Sequence, residues 1–220
     1  QILCDQDLTS VIFTSSNSGG NITYDWISDV EIGAGFSGTG NMNFTAINSS
    51  TEPVLATIIV TPVFENGSIV CDGEAKTFTI TVNPTAQVNQ PSDQVVCNGE
   101  DVSVLFSTQN TLGSTSYSWT SDIEIGAGLS GTDNMNFTAT NLLTEPVVAT
   151  IVVTPAFEFD GIVCDGEAKT FTITVNPSVQ VDQSLNQVVC TGDTTSIVEF
   201  TTQNTGGVTI FNWINNTPSI

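Results

Sequence analysis

An internal repeat with a period of 93 residues constrains this chain more than any other feature of its sequence. The longest repeated string, IVCDGEAKTFTITVNP, occupies 69–84 and recurs without a gap at 162–177. The cysteines keep the same interval, since Cys4, Cys97 and Cys190 are each 93 residues apart. Self-similarity at one fixed period is typical of tandem structural units that contact mainly their neighbours. The sequence therefore predicts an end-to-end array of near-identical domains.

The repeat also predicts where one domain ends and the next begins. Each copy ends at an Asn-Pro pair, where proline stops a strand and the following unit starts. We expect repeat 1 at 1–84, without its first strand, a complete repeat 2 at 85–177, and only the N-terminal part of repeat 3 at 178–220. In this last copy Trp213 lies 94 residues beyond Trp119, which indicates a one-residue insertion. Because the chain begins without Met and without a signal peptide, we expect it to be a mature fragment of a longer protein.

Hydrophobic alternation predicts β-strands in every repeat. In the segment 77–82, TFTITV, phenylalanine, isoleucine and valine alternate with threonines, as in a half-buried strand. The segment 148–155 is a denser β-branched strand that Pro155 is expected to close. No window shows helical spacing, and about seven short strands per repeat are typical of an immunoglobulin-like sandwich. The predicted fold is therefore all-β, with tandem antiparallel β-sandwiches whose cores contain Trp26 and Trp119.

Charge composition excludes two classes of partner. The chain has 23 Asp and Glu residues against 2 Lys and Arg and no His, so its formal net charge is −21. Nucleic acids and anionic membrane surfaces are bound through clustered cations, which this chain lacks. The hydrophobic fraction of 39% is nevertheless sufficient for packed cores. No apolar stretch approaches the ~18 residues of a membrane helix, so direct membrane insertion is not expected either.

The cysteines predict a compartment and a cross-link. Each complete repeat holds two cysteines 67 residues apart, with no CxxC and no His, which argues against zinc. The favoured pairing is Cys4 with Cys71 and Cys97 with Cys164, and it places the chain in an oxidising, extracellular setting. A bond between neighbouring repeats remains an alternative, because each cysteine lies near a turn that could face the next domain. The partner of Cys190 is expected beyond the end of the chain.

The repeated strings resemble a known family. The order VCNGE, FSTQNTLGSTSYSWTS, IGAGLSGT, MNFTATN, PVVATIVVTP, CDGE and TFTITVNP is similar to the PKD-like repeats of very large Bacteroidetes surface proteins. These include SprB-type gliding adhesins, which the type IX secretion system exports. The resemblance covers essentially the whole chain, and it implies an immunoglobulin-like fold, a cell-surface location and a role as the shaft of an adhesin or filament. It carries no catalytic residues, but it implies possible O-glycosylation at Thr194, within Asp-Thr-Thr.

The sequence lacks the usual catalytic motifs and leaves calcium binding as one hypothesis. Without His there is no general base for a nucleophilic triad, and neither a phosphate-binding loop nor a dinucleotide-binding loop is present. We therefore expect no enzyme activity, no catalytic residue and no cofactor. Acidic turns such as those around Asp5, Asp72 and Glu100 suit calcium, although no DxDxDG loop occurs. Calcium is accordingly the one ligand that the sequence leaves open.

Three functional interpretations remain. The favoured one is a non-catalytic shaft, whose partners are the neighbouring repeats and an unknown surface or cell-envelope component. A second is that the repeats themselves bind glycan or protein through loops such as 110–116. A third is an array of accessory modules in a secreted enzyme. The near identity of loops between repeats favours the first, because loops that read a ligand usually diverge.

Overall fold

The computed structural model describes residues 1–217, and it is all-β, with no helix in that range. The strands of repeat 1 are β1 (Ile2–Cys4), β2 (Leu8–Val11), β3 (Asn21–Ser28), β4 (Ser37–Thr39), β5 (Met42–Thr45), β6 (Val54–Asn66), β7 (Ile69–Asp72) and β8 (Lys76–Asn83). Those of repeat 2 are β9 (Gln94–Cys97), β10 (Asp101–Val104), β11 (Ser114–Ser121), β12 (Ser130–Thr132), β13 (Met135–Thr138), β14 (Val147–Phe159), β15 (Ile162–Asp165) and β16 (Lys169–Asn176).

Each repeat builds the same pair of sheets. In repeat 1 the larger sheet has the order β1-β8-β6-β3-β4, with β7 paired to the far end of β6, and the smaller sheet pairs β2 with β5. The strands of repeat 2 follow the same order. β1 pairs with β8, and β9 with β16, in parallel. The antiparallel pairs are β2 with β5, β3 with β4, β3 with β6, β6 with β7, β6 with β8, β10 with β13 and β14 with β15. Two such sheets form an immunoglobulin-like sandwich, which confirms the predicted fold.

Internal contacts group the chain into two compact units that cut across the sequence repeats. The first unit comprises Gln1–Gln90, Phe106–Trp119 and Val153–Lys169, so it contains the passage from repeat 1 into repeat 2. The second comprises the remaining described residues, including those from residue 178 onwards. The domain boundaries drawn from the repeat stay a prediction.

The core of repeat 1 forms where the alternation of the sequence predicts it. In β8, Ile80 and Val82 are fully buried, and the threonines that alternate with them, Thr79 and Thr81, are more exposed, as expected for a half-buried strand. Trp26 is 6% exposed and lies opposite Gly38 of β4, where a Cβ would overlap the indole ring. Trp119 is buried to the same extent in repeat 2. The Ser-Gly-Thr strand of repeat 1 therefore supplies the glycine that makes room for its core tryptophan.

The longest strand of each repeat continues through a proline, so the prediction that Pro155 closes its strand was wrong. β14 runs on to Phe159, and in repeat 1 Pro62 likewise lies inside β6. One edge of β6 changes partners at this proline. Its pairing with β8 ends at Val60 of β6, and its pairing with β7 begins at Val63 of β6. A proline is tolerated at this gap because no ladder hydrogen bond needs its missing N–H. The extra length forms a hairpin, β6–β7 or β14–β15, at one end of each sandwich.

Candidate functional site: the junction between repeats

The disulfide of this chain joins two repeats. Cys4 of β1 is bonded to Cys164 of β15, with the two Cα atoms 5.5 Å apart. Cys71 and Cys97 are free and exposed. The predicted pairing of Cys4 with Cys71 and of Cys97 with Cys164 is therefore wrong, and the bond between neighbouring repeats is the correct alternative.

Strand register explains why Cys4 cannot reach Cys71. Cys4 aligns with Asn83 at the end of β8, next to the start of β6 at Val54, whereas Cys71 pairs with Phe64 near the end of β6. Ten strand residues separate these two levels of the sheet, which is about 33 Å at ~3.3 Å per residue. A disulfide needs Cα atoms within about 7 Å. The two cysteines of repeat 1 thus lie at opposite ends of one sandwich.

The linker between repeats 1 and 2 is buried rather than free. Its buried residues are Asn83, Pro84, Ala86 and Val88, although the segment lies between two sequence repeats. Ala86 forms a parallel bridge with Gly166, at a position where a Cβ would overlap the Ala86 carbonyl. The glycine in the repeated CDGE string therefore permits the close approach of the linker. A linker packed in this way has little conformational freedom.

Asn110 connects the linker to both repeats. Its Oδ1 accepts a hydrogen bond from the backbone N–H of Gln87 at 2.7 Å. Its amide donates to the carbonyls of Thr85 at 3.2 Å and Thr51 at 3.4 Å. The next residue, Thr111, donates its N–H to the Thr51 carbonyl at 2.9 Å. One buried side chain therefore ties the linker, the loop before β6 and the loop before β11 together.

The same contacts recur at the start of the third repeat. Asn204 accepts a hydrogen bond from the N–H of Gln180 at 2.8 Å and donates to the Ser178 carbonyl at 3.0 Å. Thr205 donates its N–H to the Thr144 carbonyl at 2.8 Å. Residues 178–217 contain no strand, so these bonds form without the rest of a sandwich. The junction is therefore specified locally by the repeated sequence Thr-Gln-Asn-Thr.

A second polar contact supports each junction from the turn after the first strand. Asp5 accepts hydrogen bonds from the backbone N–H of Asn48 at 2.7 Å and from the hydroxyl of Thr85 at 3.0 Å. One repeat later Asn98 occupies this position and accepts a hydrogen bond from the backbone N–H of Asn141 at 2.7 Å. Its side-chain amide donates to the hydroxyl of Ser178 at 2.8 Å. Sequence reasoning missed the junction asparagines, and their signal was the exact recurrence of their neighbours.

Several acidic side chains act as hydrogen-bond acceptors in turns, among them Asp7 in the turn around Asp5 that was expected to suit calcium. Glu31 accepts the N–H groups of Gly33 and Gly35 at 2.6 and 3.0 Å, and Glu124 does the same one repeat later. Asp7 accepts the N–H of Cys4 at 2.8 Å. Within residues 1–217 no group of three or more acidic, histidine or cysteine side chains is arranged to hold a metal ion. None of these residues forms a helix that would suit a membrane span.

Two of these acceptor carboxylates have altered acidity. The N–H of Thr57 donates to Asp29 at 2.7 Å, and this bond lowers the pKa of Asp29 below its ordinary value. The N–H of Thr150 lowers the pKa of Asp122 in the same way. Both aspartates directly follow a core strand, β3 or β11, and fix the loop that comes next.

The free energy of unfolding is therefore expected to fall on acidification, because Asp29 and Asp122 become protonated. A depressed pKa stabilises the fold above the ordinary aspartate pKa of about 3.9, and this contribution is lost as the pH drops through the folded-state value. Asp29→Asn keeps an oxygen acceptor that does not titrate, so its urea midpoint should fall less steeply between about pH 4.5 and 2.5. Asp122→Asn should behave alike. If both variants followed the wild-type curve in parallel, the assignment would fail.

The structure places the other predicted residues as follows. Thr194 is exposed and follows the turn closed by the Asp193 N–H and the Cys190 carbonyl, and its glycosylation stays a prediction. Lys76 forms an exposed ion pair with Glu74 at 2.9 Å, and the only other cationic side chain does the same in repeat 2 at 3.5 Å. The loop 110–116, considered for ligand binding, begins at the junction instead.

Comparisons with known proteins give weak likenesses only. No protein-family model and no curated protein matches the chain. Among solved structures, it is similar to three N-terminal domains of the bacteriophage RB49 highly immunogenic outer capsid protein, with a TM-score of 0.49 and 12% identity over 81% of this chain and 67% of that one. Murine CEACAM1b gives a TM-score of 0.31 and 8% identity over 78% of this chain and 95% of that one. Mouse cadherin-23 EC22-24 gives a TM-score of 0.33 and 14% identity over 81% of this chain and 62% of that one. The immunoglobulin-like assignment therefore depends on the strand order of this chain.

Proposed function

We propose that this chain is a non-catalytic, stiff section of the shaft of a cell-surface adhesin or filament. The observation that carries the proposal is the recurrence of one junction. The bonds made by Asn110 to the linker are made again by Asn204, with similar lengths. Near-identical units joined by the same hydrogen bonds are expected to repeat one rotation and one translation, which produces a regular array.

Burial of the linker between repeats 1 and 2 supports stiffness at that junction. A flexible tether between domains is exposed and rich in small polar residues, and it lets domains move independently. Here Pro84 and Ala86 are buried, and the Cys4–Cys164 bond crosses the same junction. The junction thus combines packing, hydrogen bonds and a covalent link, each of which limits bending.

Chemistry and resemblance support the location and the absence of catalysis. Disulfides persist in oxidising compartments outside the cytoplasm. The chain has no His, and each of its two cations pairs with a neighbouring glutamate. The resemblance to PKD-like repeats of Bacteroidetes adhesins supports export by type IX secretion and a role in gliding or attachment. The partners in this proposal are the adjoining repeats and a component of the cell envelope.

Small-angle X-ray scattering tests the stiffness. Chains carrying two, three and four complete copies of 85–177 should show a maximum dimension that grows by a constant step, about 35–40 Å at ~3.3 Å per strand residue. The matched control inserts a Gly-Ser stretch between Pro177 of each copy and Thr85 of the next, which unpacks the linker. We expect the constant step to be lost in the control. A compact particle, or equal behaviour of both series, would contradict the proposal.

A further inference from the structure

The single disulfide defines a rule that extends beyond the two bonded residues. Cys4 is the first cysteine of repeat 1, and Cys164 is the second cysteine of repeat 2. The bond therefore joins the first cysteine of one repeat to the second cysteine of the next, 160 residues further along. Cys97 and Cys190 occupy the first position of their repeats, and Cys71 occupies the second position of repeat 1.

Burial differs between bonded and unbonded cysteines in the way this rule requires. Cys164 is 2% exposed, whereas its counterpart Cys71 is exposed. The difference extends to the whole hairpin, since Phe157 is fully buried and Phe64 is only half-buried. The string IVCDGE around the two cysteines is identical in both repeats, whereas the hairpins differ at Val63 against Ala156 and at 66–68 against 159–161. Repeat 2 also has a repeat before it, and its β15 lies against β1 of that repeat.

The exposed face of repeat 1 is already shaped like the junction. A shallow groove beside Cys71 is also lined by Asn17, Pro62 and Gly73. Asn17 is the counterpart of Asn110 and has the same local turn, in which its N–H and Oδ1 both bond the hydroxyl of Ser15 at 3.1 Å. Gly73 is the counterpart of Gly166, which accepts the linker in repeat 2. This face therefore fits a segment with the chemistry of 83–88.

We propose that Cys97 and Cys71 are cross-linking sites for adjacent repeats of the same array. Cys97 forms a disulfide bond with the second-position cysteine of the repeat that follows. Cys71 forms one with the first-position cysteine of the repeat that precedes. Each bond forms when a thiolate attacks a mixed disulfide, so two thiols lose two protons and two electrons. The oxidant is a protein or small-molecule disulfide, which is reduced to two thiols. The inference depends on the repeat geometry and not on the proposed function.

Peptide mapping of an extended chain tests the first half. Appending a copy of 127–177 after residue 220 completes a third repeat and adds one cysteine, the copy of Cys164. In the oxidised, non-reduced digest we expect this cysteine to be bonded to Cys97, alongside the Cys4–Cys164 bond. Replacing Cys190 with serine should leave both bonds in place. A bond from the added cysteine to Cys190, or a free thiol at Cys97, would overturn the proposal.

A second chain tests the other half and guards against misfolding of the first. Placing a copy of 1–93 before Gln1 adds a complete junction on the N-terminal side. The copy of Cys4 should then bond Cys71, and the iodoacetamide labelling of Cys71 that is expected in the original chain should disappear. Persistence of that labelling while Cys4–Cys164 is intact would refute the rule. The two proposals can fail separately. If both chains form the expected disulfides but the maximum dimension measured by scattering does not grow by a constant step per repeat, the proposed shaft is rejected and the cross-links stand.

Discussion

Replacing Cys4 with serine is expected to lower the free energy of unfolding by about 5 kcal/mol. The bond it removes spans 160 residues, so it constrains the unfolded chain more than a bond within one repeat of this protein. Guanidinium unfolding followed by tryptophan fluorescence measures the loss, since Trp26 and Trp119 are both buried.

The matched control is Cys97→Ser, which removes an exposed, unbonded thiol. Its midpoint should equal that of the wild type, and reduction with dithiothreitol should bring wild type and control down to the Cys4→Ser value. Non-reducing mass mapping should find Cys164 free in the Cys4→Ser protein. A Cys97–Cys164 bond in that variant, or a loss of stability in the control, would restore the pairing within repeats.

Phe157→Ala is expected to cost about 3–5 kcal/mol, the usual range for a fully buried phenylalanine. The ring is completely buried and lies over Gly113, where a Cβ would overlap it. The same substitution at Phe64, its counterpart in repeat 1, should cost less than half as much. Phe64 lies over Gly20 in the same way but remains half-buried.

This pair tests what the neighbouring repeat contributes, because each phenylalanine lies over a glycine at the equivalent position of its repeat. Thermal and guanidinium unfolding of both variants under oxidising conditions provide the comparison. Equal losses would mean that the preceding repeat does not cover the β14–β15 hairpin. Such a result would also remove the burial argument for the cross-linking site at Cys71.

Much of the fold could be predicted because strand alternation is a local signal. The faces of β8 and the buried tryptophans follow directly from period-2 hydrophobicity. Pro155 misled the prediction because a proline ends a strand only where its N–H is needed, and that depends on the partner strand. The sequence does not reveal that β14 changes partners at this residue.

The junction could be predicted only in part. A repeat of 93 residues makes a cysteine separation of 67 and one of 160 equivalent in pattern, so spacing alone cannot choose between partners. Strand register decides, because it places Cys4 and Cys71 at opposite ends of the sandwich. Asn110 was overlooked for a similar reason. A polar residue in a loop is indistinguishable from a solvated one until the neighbouring domain is in place.

The disulfide also determines which part of the chain bears tension. A pull on the two ends of the oxidised protein passes from Cys4 through the sulfur bridge to Cys164. The segment between them, whose full extension would be about 550 Å at ~3.4 Å per residue, stays slack. Both sandwiches are thus shielded from mechanical unfolding over most of their length. From Cys164 the load follows 26 residues of chain to Cys190, the first-position cysteine of the third repeat.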